Sequence, residues 1–267
     1  MSNAINKKIL ELKEELLVAK SSIVYTDSKR RKLIKQIADL TNELDSFSSL
    51  IDPISAPDAF FDPTNPQITA GIVSLALVAQ NRKPLQHISK FYGAGIYALY
   101  YTGESEVYSA ISNSETPIYI GKASPSGNPQ TYKEQGPKLY DRLNTHKKNI
   151  MKVSGILILD FEYRSLVVQS GFEAAAEDRL ISIFGPIWNK ETKLLFGIGK
   201  HGDSSTTRQN NKSPFDTVHP GRKWAEGNSE KQSAFEIISN VKAYLEHSKI
   251  YRSQDELIKS FLDGLKF

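Results

Sequence analysis

The sequence predicts a mixed α+β protein, in which a helical N-terminal stretch precedes a domain of element order β-β-α-β-α. Three observations predict it. Residues 1–50 hold neither proline nor glycine and repeat apolar residues three and four apart. Runs rich in β-branched and aromatic residues at Gly95–Tyr101, Pro117–Lys122 and Gly155–Tyr163 read as strands. Segments with helical patterning at Gly136–Ile150 and Phe172–Phe184 lie between and after them.

In the N-terminal stretch, Ile9, Leu12, Leu16, Ala19 and Ile23 alternate three and four apart, and so do Leu33, Ile37, Leu40, Leu44 and Phe47. Polar Thr26 and Arg30 keep the phase between them. This is the spacing of a coiled-coil seam, so residues 1–50 read as an oligomerisation segment, either one long helix or a helical hairpin. Docking of the stripe on its own chain is the alternative. Residues 51–66, dense in proline and turn formers, read as a connector. Gln67–Asn81 is a helix candidate.

Two capping boxes are expected, Ser170 with Glu173 and Ser253 with Glu256. Residues 200–231 are polar and rich in Gly, Ser, Thr and Asn, and read as a long loop. Helices at Ser233–Glu246 and Gln254–Leu265 close the chain.

The 267 residues carry a net charge of +4 and a pI near 8.9, which permits a polyanionic partner without demanding one. The absence of cysteine excludes disulfides and thiolate metal sites and fits an intracellular protein. The N-terminus has no apolar signal-peptide core, and Ile68–Ala79 is too short to span a bilayer. A cytoplasmic protein with no membrane partner is expected.

Chemistry-bearing residues recur along the predicted elements. Tyr97 and Tyr119 come from neighbouring strands, each two residues from a glycine. Arg142 and His146, four apart, share one helix face. Glu177 sits in the helix after the third strand, and Asn189 follows twelve residues later. Taken singly, each has an ordinary reading as packing, surface charge or turn. Together they supply what phosphodiester hydrolysis needs: a base for water, a cation for the scissile phosphate, and a carboxylate for a divalent metal.

"GIY" at Gly95–Tyr97 and "YIGK" at Tyr119–Lys122, followed in order by Arg142, His146, Glu177 and Asn189, resemble the GIY-YIG nuclease superfamily. "FDPTNP", "FYGAGIYALYY" and "VHPGRKWA" resemble segments of its type II restriction endonuclease branch. The long interval between GIY and YIG also suits that branch, and the resemblance extends over about residues 58–246. It implies a GIY-YIG fold with a central three-stranded antiparallel sheet flanked by helices. The nuclease domain then spans 67–232 with a DNA-contacting loop at 200–231, and 233–267 form C-terminal helices.

The resemblance further implies Mg²⁺-dependent hydrolysis of both strands of a short palindrome, GC-rich and six bases long, by a homodimer or homotetramer. Tyr97, or second to it Tyr119, is the expected base, with His146 as relay or hydrogen-bond partner. Arg142 is the expected phosphate clamp and Glu177 the metal ligand. Asn189 is expected to orient a phosphate or to fix Glu177. Lys122, Lys147, Lys148, Arg208, Arg222 and Lys223 are candidates for DNA contact, with Arg222 the first candidate base reader, since arginine to guanine is the commonest specific contact. Two other readings are a structure-selective or repair nuclease, and a catalytically silent DNA-binding or coiled-coil assembly protein.

Overall fold

The computed structural model describes residues 2–19, 27–52, 54, 62, 65–169, 171–199 and 211–263. The chain divides into two compact units, residues 1–60 and 61–267. In the first, helix α1 spans Ser2–Ala19 and helix α2 spans Asp27–Ile51. Thr26 and Ile23 fall outside the described residues.

The second unit opens with helix α3, Pro66–Val78. Asn65 caps it, accepting from the Gln67 N–H at 2.9 Å, and Pro66 fills the first helical position, where its missing N–H costs nothing. Its sheet has the order β1-β4-β2-β3 and is antiparallel throughout, with β1 at Lys83–Pro84, β2 at Gly95–Tyr101, β3 at Tyr119–Ala123 and β4 at Phe161–Val167. Four strands replace the expected three. The extra one is a two-residue edge strand ending in a proline, too short to leave an alternation pattern.

Strand β4 also begins later than the expected Gly155–Tyr163. The "GILILD" alternation belongs to a turn instead. Leu157 and Leu159 point to solvent, and Ile158–Asp160 form a 3₁₀ turn tied by the Asp160 carboxylate accepting from the Leu157 N–H. The true strand hides a buried charge. Arg164 bonds Glu115 at 2.6 Å and the Gln80 carbonyl at 2.6 Å, and its guanidinium lies 4.9 Å from the centre of the Tyr100 ring.

Strand β2 is interior and buried along its whole length. Because side chains alternate, it feeds two cores. Tyr97, Leu99 and Tyr101 enter one, with Leu139 and Leu143 of helix α4 (Lys138–Ile150), Phe161, Trp188 and Phe215. Ile96, Ala98 and Tyr100 enter the other, with Leu77 of α3, Ala176 and Leu180 of helix α5 (Glu173–Phe184), and Phe261. The sheet is thus a layer between helices.

At the start of α5, the Glu173 carboxylate accepts from the Gly171 N–H at 2.8 Å, while Ser170 lies outside the described residues. The region expected to be a loop up to residue 231 contains helix α6, Pro214–Val218, which drives Phe215 into the core. Helix α7 (Ala234–Glu246) carries a full capping box from Ser233 and Glu236 that the sequence reading did not single out. At helix α8 (Gln254–Asp263), Ser253 accepts from the Glu256 N–H, but Glu256 reaches back to Arg252. No helix among the described residues is long and apolar enough to cross a membrane.

A buried polar chain fixes the segment after α6. The Trp188 indole N–H donates to the Tyr108 hydroxyl at 3.0 Å, the Tyr108 hydroxyl bonds His219 Nε2, and His219 Nδ1 bonds the Ser154 carbonyl at 3.1 Å. The carbonyl can only accept, so Nδ1 carries the proton and Nε2 accepts from the phenol. That tautomer is neutral. Burial lowers the His219 pKa from 6.5 to about 4, against the opposing pull of the Ser154 carbonyl.

Between those values the unfolded chain takes up a proton that the folded form refuses. The stability tied to His219 is therefore complete above about pH 6.5 and is lost as pH falls towards 4, by about 3 kcal/mol for this group alone. Urea denaturation at pH 7.5 and pH 5 should show the loss, and His219→Gln should flatten this part of the profile. An unchanged pH slope in the variant would mean that other groups govern it.

Candidate active site

The register of β2 and β3 builds the site. Tyr97 lies opposite Gly121, and Leu99 opposite Tyr119. Residues opposite each other share a face, so Tyr97 and Tyr119 project on the same side, two positions apart along the pair. A methyl group on Gly121 would sit 2.6 Å from the Tyr97 hydroxyl and 2.9 Å from the Tyr119 ring. Only glycine leaves the space that the two phenols fill. Gly95, at φ +149°, lies so close to β4 that a side chain would strike the Leu166 carbonyl. Both motif glycines are thus places of close approach.

Helix α4 brings His146 onto this face. The Tyr97 hydroxyl and His146 Nε2 are 2.7 Å apart, both residues being buried. The ring centres of Tyr119 and His146 lie 4.8 Å apart, and those of Tyr97 and Tyr119 lie 6.0 Å apart. Burial, more than any other cause, raises the Tyr97 pKa well above the usual phenol value. Burial also raises that of Tyr119, opposed by a hydrogen bond from Tyr97 and by the positive field of Arg142. The cation therefore acts on both phenols in the expected direction, but desolvation outweighs it. Arg142 itself is exposed on α4, one turn before His146.

Tyr119, Glu177, Asp178, Asn189 and Glu191 line a cavity of about 480 Å³ at the β3 edge. Tyr119 is half-buried there, whereas Tyr97 is 1 % exposed. Glu177, on α5, makes an ion pair with Lys122 of β3 at 3.0 Å. Burial raises the Glu177 pKa, and the bond to Lys122 opposes the rise.

No three metal-ligating side chains cluster among the described residues. One carboxylate on an open cavity, with two more on its wall, fits Mg²⁺. That ion commonly takes one or two protein carboxylates and completes its shell with water and phosphate.

Asn189 takes a different part from the expected one. Its amide accepts from the Ile120 N–H at 2.9 Å and donates to the Ile120 carbonyl at 2.9 Å. It imitates a neighbouring strand along the outer edge of β3 and so fixes Tyr119, one residue away. Both polar atoms are engaged by backbone rather than presented to a phosphate or to Glu177. A paired backbone interaction of this kind leaves no mark in the sequence.

The expected DNA-contacting residues separate. Lys148 and Lys223 are exposed. The Lys147 ammonium donates to the Gln86 carbonyl at 2.6 Å, which joins α4 to the turn after β1, and Lys122 is occupied by Glu177. Arg208 lies outside the described residues. Arg222 is 3 % exposed and cannot be the base reader it was expected to be. Its guanidinium pairs with Asp216 at 2.6 Å, donates to the carbonyls of Ile198 and Gly197, and lies 5.1 Å from the ring centres of both Phe215 and Trp224.

Removing one partner of such a pair leaves a buried charge. Arg222→Ala should therefore cost about 3–5 kcal/mol of stability in chemical denaturation. Any folded enzyme that remains should cut the same site. Stability within 0.5 kcal/mol of wild type, roughly the range of a neutral surface change, would contradict this placement.

Residues 89–245, more than half of the chain and all of the site, match the family model described as the Eco29kI GIY-YIG domain. No protein of curated function matches the chain. With strands β2, β3 and β4, the motif glycines and the site residues all inside the matched segment, the chain belongs to the Eco29kI family of GIY-YIG restriction endonucleases and is a site-specific endonuclease.

Proposed function

We propose that the protein hydrolyses both strands of a short palindromic DNA duplex, GC-rich and six base pairs long, with Tyr119 taking the proton of the attacking water. Two chains act together, one active site per strand, because a palindrome matches a two-fold protein. The observation that carries the reading is the convergence of Tyr119, Glu177 and the Tyr97–His146 pair on one end of β3.

Tyr119 is favoured over Tyr97 by access. Its phenol borders the cavity, while the Tyr97 hydroxyl is buried and held by His146. Tyr97 donates to Tyr119 and so favours its ionised form, and His146 orients Tyr97. Arg142 holds the scissile phosphate. Glu177 would hold Mg²⁺, helped by Asp178 on the same wall, with Lys122 yielding the carboxylate when the metal binds. When bound, the ion would stabilise charge developing on the phosphate. In the step itself, the Tyr119 phenolate takes the water proton. The new oxygen–phosphorus bond forms as the bond to the leaving sugar oxygen breaks.

A raised phenol pKa has a consequence. Below that value the phenolate fraction grows about tenfold per pH unit. The single-turnover rate should therefore climb by about that factor per unit between pH 7 and 9. Tyr119→Phe should lower it by about 10²-fold or more and flatten the climb. Tyr97→Phe, which keeps the ring but removes a donor, should cost less. A pH-independent rate, or full activity in Tyr119→Phe, would exclude the phenolate.

Plasmid cleavage with end sequencing gives the site, and discrete ends at a palindrome are the expected result. Glu177→Ala should abolish cutting in Mg²⁺ while DNA affinity stays within a few-fold, since the loss of a carboxylate also lessens repulsion of the polyanion. Cutting near the wild-type rate would remove Glu177 from the metal site.

A further inference from the structure

We infer that the N-terminal unit is a self-association module, in which α1 and α2 of two copies pack as an antiparallel four-helix bundle. The inference stands on residues 2–51, outside the matched segment, and does not rest on the nuclease chemistry.

The first observation is a missing core. Among the residues of this unit whose exposure is described, Leu33 is half-buried and the others are exposed. Yet both helices carry an apolar stripe at seam spacing. Ile5, Ile9, Leu12 and Leu16 on α1, and Ile37, Leu40, Leu44 and Phe47 on α2, keep 39–51 % of their surface exposed. Apolar residues beside the stripe, such as Leu10, Leu17 and Leu50, are 60–83 % exposed. The stripe is thus covered in part and open in part. Helices of this length without a buried face are marginal in water, so the open part must be closed. A stripe confined to these positions fits another helix rather than a broad protein surface.

The second observation names the occupant. Charge runs the same way along both helices. In α1, Lys7 and Lys8 precede Glu11, Glu14 and Glu15, with Lys13 among the acids; in α2, after Asp27 at its start, Lys29, Arg30, Arg31, Lys32 and Lys35 precede Asp39, Glu43 and Asp45. This order opposes the helix dipole, which favours acids at the start and bases at the end. No acid lies in the first turn of α1, and no base lies in the last turn of either helix. Helix α1 alone carries that cost, and helix α2 carries it beyond Asp27. An antiparallel neighbour offsets it, because basic halves then face acidic halves, whereas a parallel neighbour adds like charges. Any helix polarised in this way is complementary to its own copy across a two-fold axis, which is what a symmetric interface requires.

A register exists for α2. With the two-fold axis between Ala38 and Asp39, Leu33 lies level with Leu44 of the second copy, Ile37 with Leu40, and Lys32 with Asp45. A shift of one heptad towards the C-terminus keeps the apolar layers but sets Asp39 level with Asp45. Charge therefore selects the first register. Pairing α1 with α2 inside one chain obeys the same charge rule, and two such pairs meeting seam to seam close the bundle.

The test uses the full-length chain without DNA, followed by sedimentation equilibrium. Wild type should have at least the dimer mass, and Leu40→Asp with Leu44→Asp should halve it. Two charge variants keep the result independent of folding defects. One carries Asp39→Lys, Glu43→Lys and Asp45→Lys. The other carries Lys29→Glu, Arg31→Glu, Lys32→Glu and Lys35→Glu. Each alone repels its own copies and should show half the wild-type mass. Mixed in equal amounts they should regain the full mass, which an unfolded segment cannot do. A monomeric wild type, an unchanged mass in the variants, or no recovery on mixing would overturn the inference and leave the stripe covered within its own chain.

Discussion

The approach of Gly121 to Tyr97 across β2 and β3 is the contact on which the nuclease unit depends. A side chain at Gly121 would enter the space of both phenols, and a shift of the pairing by one residue would turn Tyr119 to the opposite face. The same register places Ile96, Ala98 and Tyr100 in the second core. One strand pairing therefore sets the geometry of the phenols and the packing of α3 and α5 beneath them. Since β2 is buried on both faces and bonded on both edges, it has no easy way to relax. Rigid support is what a site needs if its hydrogen-bonded atoms are to hold position within tenths of an ångström.

Charged residues in this unit fall into two kinds, and burial separates them. Arg222 with Asp216, and Arg164 with Glu115, are closed systems: each guanidinium also bonds backbone carbonyls and lies against aromatic rings. They tie the segments of Asp216 and of Glu115, which also pairs with Arg82, to the core. Lys122 with Glu177 is open. The lysine is 35 % exposed, and the carboxylate borders a cavity. A metal ion or a phosphate can take over either partner there without leaving a buried charge behind. Closed and open ion pairs look alike in the sequence, since each is an acid and a base whose pairing no local pattern marks. Their surroundings distinguish them.

This explains which parts were legible from the sequence. Strand β2 was found with its bounds, because alternation, aromatic content and the flanking glycines agree. Helices α4 and α5 were found to within two residues. Strand β4 was displaced, because its burial of Arg164 breaks the apolar pattern while the preceding turn imitates it. Strand β1 was missed for want of length. Tyr97, Tyr119, His146 and Glu177 stand in a motif of ordered spacing, and the fold brings them to one end of β3. The part played by Asn189 could not be read from the sequence, since it depends on the backbone of Ile120. Arg222 was misread for the same reason. An arginine in a polar, glycine-bearing segment reads as surface until Phe215 and Trp224 are seen beside it.

The unit contains two tyrosine–histidine pairs, and they differ in what stands beyond each. Tyr108 with His219 and Tyr97 with His146 are both buried and both hydrogen bonded through Nε2. The first pair is closed at both ends, by the Trp188 indole and the Ser154 carbonyl, so a proton entering it has no acceptor beyond. It can only be stable or broken. The second pair continues to Tyr119, whose phenol meets the cavity where Glu177 and Asn189 also stand. Its hydrogen bonds lead from a buried imidazole to an accessible oxygen. The same two residue types thus form a staple where both ends are closed, and lead to a cavity-lining phenol where one end is open. That opening is set by the edge position of β3, which leaves Tyr119 beside the cavity while β2 keeps Tyr97 enclosed.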